Sequence, residues 1–160
     1  MKLLKYAFPL MLVLLLALAV AACVQQPIPT SVTSGGTPTA TNSSQALIKT
    51  ATATVKGASK TILTNAQGLT LYYRTTDKPP SKVCSGGCAG AWPPLLFTGS
   101  GTPASSTRLP GKLTAVVDAN GNQVEYNGHL LYTFASDTAP GQTNGEGVGG
   151  IWFVATPALH

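Results

Sequence analysis

The sequence predicts an all-β protein: a small antiparallel β domain built from two pseudo-symmetric repeats, preceded by a signal peptide and a disordered tether. Three observations lead there. Residues 68–92 and 128–152 match each other at an offset of 60 without a gap. Short apolar runs after residue 60 are separated by turns of the Asn-Ala-Gln-Gly, Asp-Ala-Asn-Gly and Asn-Gly kind. No segment after residue 50 carries a helical apolar period over three turns. Closely spaced strands joined by such turns favour antiparallel sheet.

The N-terminus reads as an export signal. Lys2 and Lys5 supply a short positive region, and Ala7 to Ala22 follows with no charged residue over 16 positions. A bilayer span needs roughly 18–20 apolar residues, so this run fits a signal peptide better than a transmembrane helix. Its closing Val20-Ala21-Ala22-Cys23 resembles a bacterial lipobox. That assigns residues 1–22 as a lipoprotein signal peptide and Cys23 as the lipidation site. A diacylglyceryl group and a further acyl chain such as palmitate would hold the protein to membrane lipid, because multiple chains anchor stably where one does not.

Residues 23–50 form a linker. In the stretch 24–45, 14 of 22 residues are Ser, Thr, Gly or Pro, and so few apolar side chains cannot offset the entropy of ordering. As a coil it spans on the order of 25 Å. Removing Lys2 and Lys5 leaves eight basic residues against five acidic ones, a net charge of +3, and the basic residues never cluster. Nucleic-acid binding calls for a dense basic stripe, so no nucleic-acid partner is expected.

The β-rich domain is expected over residues 51–160, with repeats at about 60–97 and 120–157. Strand-like segments Thr61–Thr64 and Leu69–Arg74 flank an Asn65–Gly68 turn. Leu113–Val117 and Gln123–Tyr126 flank Asp118–Gly121, and Gln123–Tyr126 and His129–Phe134 flank Asn127-Gly128. Asn-Gly is the strongest short hairpin signal, since both residues tolerate positive φ. About 50 residues cannot easily bury a core alone, so the repeats should pack as one domain of about 110 residues.

Between the two units, Gly68/Gly128, Leu71/Leu131, Tyr72/Tyr132, Asp77/Asp137, Pro80/Pro140, Gly87/Gly147, Gly90/Gly150 and Trp92/Trp152 coincide. The tandem Leu-Tyr-x4-Asp units, the Cys-x3-Cys segment running into Trp-Pro-Pro, the closing Gly-Gly-x-Trp and the lipobox together resemble the bacterial secreted-repeat lipoproteins. That family is defined by its Tyr-x4-Asp motif and has no established activity. The resemblance implies an exported repeat lipoprotein of the cell envelope and no catalytic residue. Structurally, Tyr72, Tyr132, Trp92 and Trp152 would fill a small core, with Asp77 and Asp137 capping loops. Functionally, the same six residues would line a ligand groove at each repeat.

Cys84-Ser85-Gly86-Gly87-Cys88 is expected to close a disulfide, because nearby cysteines outside the cytoplasm usually pair. The second repeat has Asn144 and Val148 at these positions. The alternative is a metal or redox site made by Cys84, Cys88 and His129, with Asp77 or Asp137 adding oxygen. Cys-x3-Cys lacks the spacing of a thioredoxin-like pair and the histidine of a haem-attachment site. Gly145-x-Gly147-x-x-Gly150 runs into a strand-like segment instead of a helix, which argues against dinucleotide binding. No Gly-x-Ser-x-Gly elbow supports hydrolysis.

These readings converge on a non-enzymatic binding or scaffold module of the envelope with no cofactor. It would be exported, lipid-anchored on the extracytoplasmic side, and suited to a glycan, peptide or small-molecule ligand. A redox or metal-handling lipoprotein centred on Cys84, Cys88 and His129 is the alternative.

Overall fold

The computed structural model describes residues 47–160; the signal peptide, Cys23 and nearly all of the tether lie outside the described residues. Among the described residues seven strands form three small antiparallel sheets. β1 (Ile48–Val55) pairs with β2 (Ala58–Asn65) through a two-residue turn at Lys56-Gly57. Lys56 at φ 49° and Gly57 at φ 78° are both left-handed, the backbone that a tight hairpin requires. β3 (Tyr72–Arg74) pairs with the last strand, β7 (Trp152–Val154). β4 (Leu113–Asp118), β5 (Gly121–Tyr126) and β6 (His129–Leu130) form a meander. Asn127 at φ 49° and Gly128 at φ 84° make the β5–β6 turn, the same geometry as at Lys56-Gly57.

Two details differ from the sequence expectation. Strand begins at Ile48, inside the stretch given to the linker (23–50) and ahead of the domain start at 51. Ile48 is fully buried, and this end of the strand bonds to the inter-repeat segment: Leu47 N–H donates to Ala104 O at 3.0 Å, and Ile48 O accepts from Ser106 N–H at 2.9 Å. The Ser/Thr content that marked the tether continues into β1 as the outward positions of an amphipathic strand. The second difference is helical. A five-residue helix, α1 (Gly87–Ala91), and a 3-10 turn at Val148–Gly150 each immediately precede a tryptophan segment. Both are single turns, too short to leave a periodic signature.

The repeats are interlocked. Tyr72 N–H donates to Tyr132 O at 2.8 Å and Tyr132 N–H to Tyr72 O at 3.0 Å, placing a pseudo-twofold axis between the two tyrosines. Around it the closing segment of each repeat leaves its own unit and joins the other. Thr75 N–H bonds Ile151 O at 2.9 Å, and Ala135 N–H bonds Ala91 O at 2.9 Å. Ala155 N–H bonds Leu71 O at 2.8 Å, and Leu95 N–H bonds Leu131 O at 2.9 Å. Leu63 N–H reaches Ala155 O and Val124 N–H reaches Leu95 O, both at 2.8 Å. Each bond therefore has a mate about 60 residues away, and in each pair the bonded residues come from different repeats.

Because side chains alternate along a strand, this exchanged layer buries two faces. Ile62, Tyr72, Leu130, Tyr132, Trp92, Trp152 and Val154 go to one side; Leu63, Leu71, Val124, Leu131, Leu95 and Ala155 go to the other. Adjacent residues such as Leu71 and Tyr72 thus belong to different halves of the core. Leu71 and Leu131 occupy equivalent sites with no solvent exposure. Leu71→Ala and Leu131→Ala should each cost about 2–5 kcal/mol in chemical denaturation, with one cooperative transition in both. Separate transitions for the two halves would contradict the interlocked core.

Candidate functional site

The six repeated side chains expected to carry a site meet at the pseudo-axis. The Tyr72 hydroxyl donates to Asp137 Oδ2 at 2.5 Å, and the Tyr132 hydroxyl donates to Asp77 Oδ2 at 2.7 Å. Each Tyr-x4-Asp motif is therefore completed by the carboxylate of the other repeat. The same hydroxyls accept a backbone N–H: Gly145 N–H reaches Tyr72 Oη at 3.2 Å, and Cys84 N–H reaches Tyr132 Oη at 3.3 Å. The second oxygen of each Asp is also occupied. Asp137 Oδ1 accepts from Asn144 N–H at 3.1 Å, while Asp77 Oδ1 accepts from Arg74 Nε at 2.7 Å. Burial of a carboxylate without donors would be costly, and here every carboxylate oxygen has one.

Between the tyrosines the two indoles lie face to face, with centroids 3.8 Å apart and planes 3° from parallel. Each indole also makes a T-shaped contact with a tyrosine: Tyr72 with Trp92 at 5.4 Å and Tyr132 with Trp152 at 5.1 Å. Phe134 stacks on the outer face of Trp92 at 4.3 Å, and the Arg74 guanidinium lies 5.7 Å from the Trp152 ring centre. Arg74 and Phe134 are equivalent positions, so one repeat closes the stack with a cation and the other with an aromatic ring. Both satisfy the π-face, one by dispersion and one by cation–π attraction.

Trp92 is 5% exposed, Trp152 4% and Asp137 3%. Each of the six residues contacts another of them. Gly145 shows how closely this cluster is packed: a Cβ there would fall 2.8 Å from both the Trp92 and the Tyr72 rings. Burial, reinforced by the hydrogen bond to Asp137, pushes the Tyr72 phenol far above its ordinary pKa of 10.0. Tyr132 is likewise pushed up by burial and by its bond to Asp77.

Cys84 and Cys88 form a disulfide. Cys84 is fully buried beneath Tyr132, and Arg74 Nη1 approaches Cys88 Sγ at 3.8 Å. His129 lies elsewhere, against the Tyr73 ring at 5.0 Å and 3.2 Å from the His160 carbonyl oxygen. Among the described residues no group of three His, Cys, Asp or Glu side chains is placed to hold a metal ion, so Cys84, Cys88 and His129 are not assembled into one.

Sequence reasoning passed over the face of the β3–β7 pair opposite the tryptophans. Cross-strand neighbours Tyr73 and Phe153 lie there with ring centroids 6.1 Å apart, and His129 stands edge-on to Tyr73. Lys56 Nζ lies 5.4 Å from the Phe153 ring centre and 3.3 Å from Glu146 Oε1. All three rings are half-buried. In the opposite half the equivalent positions are Thr133, Pro93 and Leu69, so this aromatic shelf exists once. The signal was available as a departure from the repeat, not as a match to it.

The family model for a secreted repeat of unknown function matches residues 53–96 and 114–156. The chain belongs to this family. Neither a search of curated proteins nor one of solved structures gives a match. The two family segments are the two arms of the interlocked body, from the hairpin strands β1 and β4 through the tryptophan segments. Membership of a secreted-repeat family also carries export with it.

Two measurements test the cluster. Each tyrosine stays protonated in the folded state beyond the pH at which its unfolded counterpart ionises, so its contribution to stability is complete below pH 10.0 and is lost as pH rises above it. Denaturation midpoints should stay flat up to that point and then fall, less steeply in Tyr72→Phe than in the parent. Replacing Cys84 and Cys88 together by Ser should lower stability by about 2 kcal/mol while near-ultraviolet circular dichroism of the Trp pair persists. Loss of that signal would make the disulfide a condition of the fold.

Proposed function

We propose that this protein is a membrane-anchored extracytoplasmic lipoprotein acting as a non-enzymatic binding or scaffold module of the cell envelope. Acylation of Cys23 would fix it to the outer surface of a membrane, and the Ser/Thr-rich tether would hold the β body clear of the headgroups. This anchoring reading rests on Lys2, Lys5, the uncharged stretch 7–22 and the Val-Ala-Ala-Cys ending.

The binding role rests on one observation: the aromatic shelf of Tyr73, Phe153 and His129 interrupts the symmetry of an otherwise duplicated body. The shared Tyr hydroxyls and Asp carboxylates are already hydrogen-bonded within the body, and the rings packed between them are almost wholly buried. The shelf offers ring faces and edges, with the Lys56–Glu146 pair at its rim. Partly exposed aromatic rings beside charged groups suit glycans, peptides and cationic small ligands. Burial and the nearby Glu146 carboxylate raise the Tyr73 phenol, so it presents a neutral hydroxyl at physiological pH.

Both halves of the proposal are testable on the full chain. Cys23→Ser should move the protein from the membrane fraction to the soluble extracytoplasmic fraction. Recovery of that variant in membranes would sink the anchor. Purified envelope polysaccharide should cosediment with the intact lipoprotein in detergent, and Tyr73→Ala with Phe153→Ala should abolish this while unfolding remains cooperative. Cosedimentation unchanged by those substitutions would place any contact surface elsewhere.

A further inference from the structure

The buried cluster has a property that a purely structural core does not need. A continuous path of aromatic contacts runs Tyr72–Trp92–Trp152–Tyr132, at centroid separations of 5.4, 3.8 and 5.1 Å. Both ends terminate in a phenol that donates its proton to a carboxylate. Tyrosine and tryptophan are among the side chains most readily oxidised by one electron, and Cys84 and Cys88 are tied up in a disulfide. An oxidised phenol is a strong acid, so a hydrogen-bonded base sets how easily the electron leaves. Two indoles in parallel contact can also share one positive charge.

We propose that the Tyr72–Trp92–Trp152–Tyr132 array is a one-electron relay, which takes an oxidising equivalent at the indole pair and holds it as a neutral tyrosyl radical. The oxidant is any one-electron acceptor that reaches the thin exposed rims of Trp92 and Trp152, such as a high-valent metal centre or a peroxide-derived radical. One electron passes from the indole pair to that oxidant, leaving a shared indole radical cation. The tyrosine then returns one electron to the indole, and its phenolic proton crosses the existing hydrogen bond to Asp. The products are the reduced oxidant, neutral tryptophan, a tyrosyl radical and a protonated aspartate. A one-electron reductant such as a small-molecule thiol or a quinol resets the site: it gives one electron to the tyrosyl radical, the proton returns from Asp to the phenolate oxygen, and the donor leaves as its own radical.

Geometry also selects the end of the array that holds the radical. The Arg74 guanidinium lies over Trp152 and is ion-paired with Asp77. Its charge opposes a second positive charge on Trp152 at short range. Trp92 has neutral Phe134 on its outer face, and Asp137 takes its other hydrogen bond from a backbone N–H. Oxidation is therefore directed to Tyr72, with Asp137 as proton acceptor. Burial keeps both phenols protonated, so electron and proton must leave together. Tyr126 is the internal contrast: it is equally buried, yet its hydroxyl donates to the Pro157 carbonyl at 2.8 Å, which is no base.

The test is rapid-freeze electron paramagnetic resonance of the full chain after oxidation by photogenerated ruthenium(III) tris-bipyridine. The parent should give a neutral tyrosyl spectrum with an exchangeable proton coupling that vanishes in deuterium oxide. Tyr72→Phe should lose that spectrum in favour of a tryptophan radical or a weaker Tyr132 signal, and Tyr126→Phe should keep it. Asp137→Asn, which retains size and polarity, should shift the radical from tyrosine to tryptophan. A spectrum carried by Tyr73 or Tyr126, as read from loss in the matching Phe variants, overturns the proposal. So does a parent protein that forms no radical in the cluster. The parent spectrum and its deuterium response need no variant to fold, so the proposal stays falsifiable if Asp137→Asn unfolds.

Discussion

The crossed tyrosine–aspartate bonds around the Trp92–Trp152 stack are the constraint on which the other contacts depend. A parallel indole pair at 3.8 Å is not the arrangement that isolated aromatic rings prefer, since their quadrupoles favour offset or edge-to-face contact. Here the pseudo-twofold axis imposes it, and T-shaped contacts with Tyr72 and Tyr132 add the favourable geometry. The carboxylates then act as latches. Asp137 is buried only because Tyr72, from the other repeat, gives it a proton donor. A separated repeat would keep a tyrosine whose hydroxyl had lost its carboxylate and an aspartate whose donor was missing. One buried unsatisfied polar group costs about 1–3 kcal/mol, and separation would leave two pairs of them. The polar latches thus specify the exchanged arrangement, while apolar area supplies most of the driving force.

The exchange also explains how so small a body holds a two-sided core. Neither repeat alone has a sheet wide enough to cover the faces carrying Leu71 and Tyr72. Handing each closing segment to the other repeat builds a shared layer, and residues next to each other in sequence fill opposite sides of it. The single helical turn before each tryptophan, α1 in one repeat and Val148–Gly150 in the other, redirects the chain toward the partner repeat. In the first repeat the Cys84–Cys88 bond ties the start of that turn to the loop before it. In the second, Gly145 lets the backbone pass under Trp92 and Tyr72 where no side chain fits. Two chemistries thus meet one requirement for a compact approach.

The architecture was legible because it was written twice. The offset of 60, the Asn127-Gly128 turn and the Asn65–Gly68 turn are local signals, and local signals survive without coordinates. The Asn65 side chain even accepts from Gln67 and Leu69 N–H as a turn asparagine should. The start of β1 at Ile48 was not legible, because one buried isoleucine among Thr and Ala resembles a tether until its partners in β2 and residues 104–106 are known. Nor could spacing reveal the exchange. A Tyr-x4-Asp motif looks like one local unit, yet Tyr72 lies 65 residues from the aspartate it bonds. The shelf of Tyr73, Phe153 and His129 combines residues from three strands and has no repeated counterpart to call attention to it.

Duplication therefore separates two kinds of residue in this protein. The matched Leu, Tyr, Trp and Asp pairs lie at or near the pseudo-axis, where each must satisfy the same geometry twice, and a change at one disturbs the contact made by its mate. Positions that differ are released from that demand: Arg74 against Phe134, Tyr73 against Thr133, Phe153 against Pro93, His129 against Leu69. The repeated Tyr, Asp and Trp residues consequently point inward, to what this body needs in order to close. The unmatched positions here include the aromatic shelf and the cation that ends the indole stack. The buried array can still do chemistry, because moving an electron through touching rings needs contact and a proton acceptor, not an open pocket. Recognition at the asymmetric surface and electron transfer in the symmetric core are thus compatible in one small fold, since they draw on different side chains.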